Sequence, residues 1–119
     1  MVRFWLIGFA ITLAIEVPVA GILLRDREKS RLRLALLLIF ANLATHPAVW
    51  FIFPQLPLGY WAATFLSEIF AWLAEALFYG LVFRVSAVRA LAVSLVANAA
   101  SYGAGVLLGS LGFWRWVGW

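Results

Sequence analysis

Three carboxylic acids lie deep inside apolar sequence: Glu16 in AIEVPVAG, and Glu68 and Glu75 in SEIFAWLAEALF. A charged group at the centre of a membrane span costs at least about 2.5 kcal/mol, so three in one short chain exceed what packing requires. Amides and hydroxyls accompany them, Asn42 with Thr45 and Asn98 with Ser101, and the single histidine, His46, follows Asn42 by one helical turn. Such a set can bind and release a proton or a hard cation, with the amides holding the carboxyls in place. The expected site for proton- or cation-linked transport or conduction is Glu16, Asn42, His46, Glu68, Glu75, Asn98 and Ser101. Glu16 and Glu75 form its central pair, and His46 or Glu68 relays protons.

Two other readings compete. In a metal-dependent membrane enzyme acting on a lipid-soluble substrate, His46, Glu16 and Glu75 are the candidate ligands for Zn²⁺, Mn²⁺ or Fe²⁺. The support is weak, because the chain contains neither H-E-x-x-H nor a Glu-x-x-His pair. With no cysteine, thiolate sites and disulfides are excluded, and one histidine excludes multi-histidine zinc and bis-histidine haem. Ser67, Ser94 and Ser101 lack a glycine elbow, so no catalytic residue and no cofactor is assigned. In an accessory subunit or assembly factor of a larger membrane complex, the polar cluster would instead specify helix pairing.

Composition dictates the elements that carry these groups. The 119 residues are 66% hydrophobic and 12% charged, with mean hydropathy +1.04, whereas a soluble domain is about half apolar and about a quarter charged. Four apolar blocks are each long enough to cross a hydrocarbon core of roughly 30 Å at about 1.5 Å per residue. The spans are expected at residues 4–24, 34–53, 60–83 and 87–113, within one transmembrane domain covering 1–119. The first block contains Glu16 and Pro18 and ends in Arg25, which reads as a retained span rather than a cleaved signal peptide.

Charge and aromatic placement give the orientation. Arg25, Arg27, Lys29, Arg31, Arg33, Arg84 and Arg89 fall on one side, and only Arg3 and Arg115 on the other. The positive-inside rule makes loops 25–33 and 84–89 cytoplasmic and both termini external, in the plasma (inner) membrane. Trp5, Trp50, Tyr60, Trp61, Trp114, Trp116 and Trp119 then form an outer interfacial belt. The net charge of +4 reports this orientation, not nucleic-acid binding. The expected partners are the lipid bilayer and either further copies of the chain, which a wide pore would need, or a larger membrane complex.

An internal repeat is also visible. AIEVPVAGILLR (14–25) aligns with LAEALFYGLVFR (73–84), matching Glu16 with Glu75, Gly21 with Gly80 and Arg25 with Arg84. RLALLLIFANLATHPA (33–48) aligns with RALAVSLVANAASYGA (89–104), matching Arg33 with Arg89, Asn42 with Asn98 and Thr45 with Ser101. The expected fold class is an all-α, polytopic four-helix membrane bundle built from two tandem, parallel-repeat hairpins, residues 4–53 and 60–113. A pseudo-two-fold axis along the membrane normal would relate them.

Polar spacing orients each helix. Thr64, Glu68, Trp72, Glu75 and Tyr79 are expected to share one inward face of the third span. Gly105 and Gly109 in the fourth make a G-x3-G face suited to close helix packing. Pro18 and Pro47 free the carbonyls of Ala14 and Leu43 beside the cluster, the pattern of kinked half-helices near a midplane site.

Overall fold

The computed structural model describes residues 1–118; Trp119, assigned above to the aromatic belt, lies outside the described residues. Helices α1 (Val2–Leu24), α2 (Arg31–Phe51), α3 (Tyr60–Phe83) and α4 (Ala87–Ser110) are each long and apolar enough to cross a membrane. A 3-10 turn at Phe53–Gln55 precedes α3, and a one-turn helix, α5 (Phe113–Trp116), follows α4. The described residues form an all-helical bundle compatible with an integral membrane protein.

Local chemistry sets the helix ends. Ser30 and Ser86 cap α2 and α4, each hydroxyl accepting from the backbone N–H three residues on, Arg33 and Arg89, at 3.2 Å. The second helix therefore begins at Arg31 rather than at residue 34, because the cap rather than the onset of hydropathy starts it. It ends at Phe51, where Pro54 enters the 3-10 turn. The fourth helix stops at Ser110 rather than at 113, since Gly112 turns into the left-handed region at φ 76° and starts α5. Arg84, at φ 53°, ends α3 in the same region and makes the α3–α4 connection very short. Neither proline divides its helix: α1 continues through Pro18 and α2 through Pro47, so the expected half-helices do not form.

Each helix packs mainly on two neighbours, α1 on α2 and α4, and α3 on α2 and α4, so the order around the bundle follows the chain. Its two ends differ. The half holding the 25–33 and 84–89 loops is filled by apolar side chains, including Ala20, Leu24, Leu38, Tyr79, Phe83 and Val93. At that end Arg89 donates to Asp26 at 2.9 and 2.5 Å and to the Leu23 carbonyl at 2.7 Å, tying the first loop to the start of α4. This guanidinium holds the Asp26 carboxyl down at about 2. At the other end Trp5, Trp50, Tyr60, Trp61 and Trp114 gather where α1 and α3 begin and α2 and α4 finish. There Arg3 donates to the Val117 carbonyl at 3.0 Å.

The inward row of α3 differs from the expected one. Ala63, Ser67, Ala71, Glu75, Tyr79 and Phe83 recur every four residues and are buried. Thr64, Glu68 and Trp72 are only half-buried beside that row. Small side chains let neighbouring backbones approach, and in a bilayer this outweighs polarity in choosing a contact face.

Candidate functional site

Near the middle of the bundle, Glu16 of α1 and Glu75 of α3 are both 2% exposed, and the helix ring brings them together. Glu75 accepts through Oε1 from the Thr45 hydroxyl at 2.9 Å and through Oε2 from the Asn98 amide at 2.9 Å. Glu16 accepts through Oε1 from the Ser101 hydroxyl at 2.5 Å. Its Oε2 is buried and accepts no hydrogen bond, with the Asn42 amide and the Glu75 carboxyl as its polar neighbours. Two carboxyls can bond each other only if one carries a proton, and that proton would satisfy the otherwise orphaned oxygen.

The remaining polar groups anchor this pair. Asn42 donates to the Leu38 carbonyl at 3.1 Å and lies beside Glu16. Asn98 donates in addition to the Ser94 carbonyl at 2.9 Å. Thr45 and Ser101 each reach a carboxyl from the other helical hairpin, Thr45 of α2 to Glu75 and Ser101 of α4 to Glu16. The hydroxyl bonds therefore cross between hairpins.

His46 belongs to a different set. The Trp5 indole donates to its Nδ1 at 3.0 Å, and its Nε2 lies 3.3 Å from the Thr12 hydroxyl. An indole N–H can only donate, so Nδ1 accepts and the ring is the neutral tautomer protonated at Nε2, whose N–H points to Thr12. Phe9 and Trp50 enclose it at ring separations of 5.0 and 6.0 Å. The metal candidates His46, Glu16 and Glu75 are consequently not drawn into one ligand set: among the described residues no three His, Asp or Glu side chains could hold a metal ion together. Glu68 has neither a hydrogen bond nor an ion pair among the described residues, whose ion pairs all lie at the basic end.

A cavity of about 460 Å³ runs from the aromatic end to the carboxyl pair. All seven residues expected from the sequence line it: Glu16, Asn42, His46, Glu68, Glu75, Asn98 and Ser101. Trp50, Tyr60, Trp61 and Trp114 surround the mouth. Gly105 and Gly109 line the wall, and an added Cβ would meet nothing within 4 Å at the first and only Trp114 at the second. The expected helix-packing role of this G-x3-G is therefore corrected: the glycines widen the cavity. None of the lining residues comes from the apolar half that holds Leu24, Leu38 and Phe83.

Sequence reasoning missed the role of Trp5, and it placed Tyr79 on the inward face without assigning it to the site. Trp5 read as an interfacial anchor, yet it fixes the His46 tautomer, and no local spacing signals a contact 41 residues away. Tyr79, placed on the polar stripe, is fully buried with its hydroxyl unpartnered, one turn beyond Glu75 toward the basic end. No protein-family model, curated protein or solved structure matches the chain.

Proposed function

We propose that the chain carries out proton- or cation-linked transport or conduction, with Glu16 and Glu75 as the exchanging pair. One observation supports this reading: two buried carboxyls from different hairpins share a cavity that reaches the exposed Tyr60 and Trp61 at the aromatic end. A purely structural carboxyl pair has no need of such an opening. With the basic loops cytoplasmic, the cavity faces the outside, and a proton or cation arriving there reaches the pair without crossing hydrocarbon. Passage onward requires the apolar half around Leu24, Leu38 and Phe83 to part, and the Ser94 and Tyr79 hydroxyls are the polar groups on that side.

The proposal includes a tandem origin for the hairpins, related by a pseudo-two-fold axis along the membrane normal. It is supported by a constant offset of 56 residues between Ser30 and Ser86, Arg33 and Arg89, Asn42 and Asn98, and Thr45 and Ser101. Both serines cap a helix, both asparagines donate to the carbonyl four residues back, and both final hydroxyls bond a carboxyl of the opposite hairpin. Such an arrangement would give each acid one hydroxyl donor from the opposite hairpin.

Purified chain reconstituted into vesicles tests the function. An imposed proton, Na⁺, K⁺ or Mg²⁺ gradient should dissipate faster than in empty vesicles, and Glu16→Gln with Glu75→Gln should abolish the difference in a folded protein. Flux of none of these ions, or flux unaltered in the folded double variant, would overturn the proposal.

A further inference from the structure

A second cavity, of about 670 Å³, lies between α3 and α4 and opens sideways, where the bilayer would be. Its walls are apolar and aromatic, chiefly Trp61, Phe65, Ile69, Trp72 and Leu95, and its volume is that of a drug-sized ligand site. Trp72 is fixed, since its indole donates to the Leu91 carbonyl at 2.9 Å and its own carbonyl accepts from Ser94 at 2.8 Å. Into this groove comes one carboxyl, Glu68, which also lines the central cavity together with Trp61, Asn98 and Tyr102. The groove and the carboxyl pair thus share a wall.

We propose that this groove binds a lipophilic organic cation, its charge against Glu68 and its apolar body among Trp61, Phe65 and Trp72. Three features select that occupant. Glu68 has no cationic partner among the described residues, so an entering cation would supply the counter-charge that its carboxylate lacks. Indole rings favour cations, and Trp61 and Trp72 bracket the carboxyl in sequence and in the groove. Glu68 lies eight residues into α3, about 12 Å below its start at about 1.5 Å per residue, beneath the depth at which a phospholipid carries its headgroup charge. A cation bearing its own apolar body, entering from the bilayer, fits where a lipid headgroup does not. The inference deepens the transport reading by naming the class of cargo, and it rests on that reading for its functional meaning, though the binding stands alone.

Tetraphenylphosphonium and tetraphenylborate have the same shape and opposite charge, and equilibrium dialysis of each against the purified full chain in neutral detergent separates charge from hydrophobicity. The phosphonium should bind and the borate should not. Glu68→Gln should weaken phosphonium binding by about tenfold or more, as loss of one partner of a partly buried charge pair does. Ala99→Phe, which adds a ring to the groove from α4, should remove binding while the circular dichroism stays helical. Equal binding of the two probes, which is what a lipid-tail groove would give, overturns the inference, as does phosphonium binding that survives both substitutions. A groove occupied by a second copy of the chain would appear as a dimer that binds neither probe, and this too overturns it. Absence of phosphonium binding alongside Glu16- and Glu75-dependent proton flux refutes this inference alone; charge-selective binding without any ion flux supports it and refutes the transport reading.

Discussion

Removing the Ser101 hydroxyl should destabilise the bundle more than removing its counterpart at Thr45. Glu16 has Ser101 as its hydroxyl donor at 2.5 Å, and its second oxygen accepts no hydrogen bond. Glu75 keeps the Asn98 amide at 2.9 Å when Thr45 is lost. A hydrogen bond to a charged group contributes roughly 1.5–3 kcal/mol in proteins generally, and interhelical bonds within membranes roughly 0.6–2. The two ranges overlap at about 1.5–2 kcal/mol, the cost expected for Ser101→Ala, whereas Thr45→Val should cost about 1 kcal/mol because Glu75 remains bonded. The assay is reversible unfolding in mixed micelles as the fraction of dodecyl sulfate rises, followed by circular dichroism. A double-mutant cycle isolates the charged part of the bond: in a Glu16→Gln background, Ser101→Ala should cost about 1 kcal/mol, since the acceptor is then a neutral amide. If Ser101→Ala falls within about 0.5 kcal/mol of the parent, or Thr45→Val costs more, the crossed-hydroxyl account is wrong.

Three further outcomes follow from separate parts of the structure. Arg89→Gln should remove a pH-dependent stabilisation: the Asp26 carboxyl is lowered from 3.8 to about 2, so its contribution is present above about pH 4 and lost as pH falls toward 2. Thermal unfolding curves of parent and variant should therefore converge at low pH, and a constant gap down to pH 2 would contradict the pairing. Gly8→Ala places a Cβ 2.7 Å from the Trp50 ring, which is itself packed against His46 and Trp114. Overpacking of about 1–3 kcal/mol should outweigh the gain of about 1 kcal/mol in helix propensity, giving a lower unfolding midpoint rather than a higher one. Nitrogen-15 spectra of His46 should show the tautomer protonated at Nε2, with the Nδ1 resonance shifting in Trp5→Phe as its donor is lost. An Nδ1-protonated ring in the parent would refute the assignment.

The bundle itself was readable from the sequence because four long apolar blocks with short polar connections admit few other arrangements, and Tyr60–Phe83 begins and ends where hydropathy placed it. The rotation of α3 was not. Hydropathy cannot separate a lipid-facing side from a helix-facing one, and the small residues Ala63, Ser67 and Ala71, rather than Thr64, Glu68 and Trp72, took the inward row. The seven candidate site residues were legible because polar groups inside a span must face protein or a cavity, and one cavity is lined by all of them. Their division into a carboxyl pair and a separate His46–Trp5–Thr12 set depends on contacts between helices, which residue types alone do not specify. Gly105 and Gly109 illustrate the same limit: a small-residue face permits close approach, and here the space beside it is the cavity wall.

The central claim is that Glu16 and Glu75 hold a proton in contact with the aromatic end. Infrared spectra of the reconstituted chain, recorded as the external medium is changed from H₂O to D₂O, observe that proton through the carbonyl stretch of a protonated carboxylic acid. The account predicts a protonated-acid band that shifts promptly on exchange and is lost from Glu16→Gln with Glu75→Gln. A band in the folded parent that resists exchange for hours would mean a sealed, structural pair, and would contradict the account.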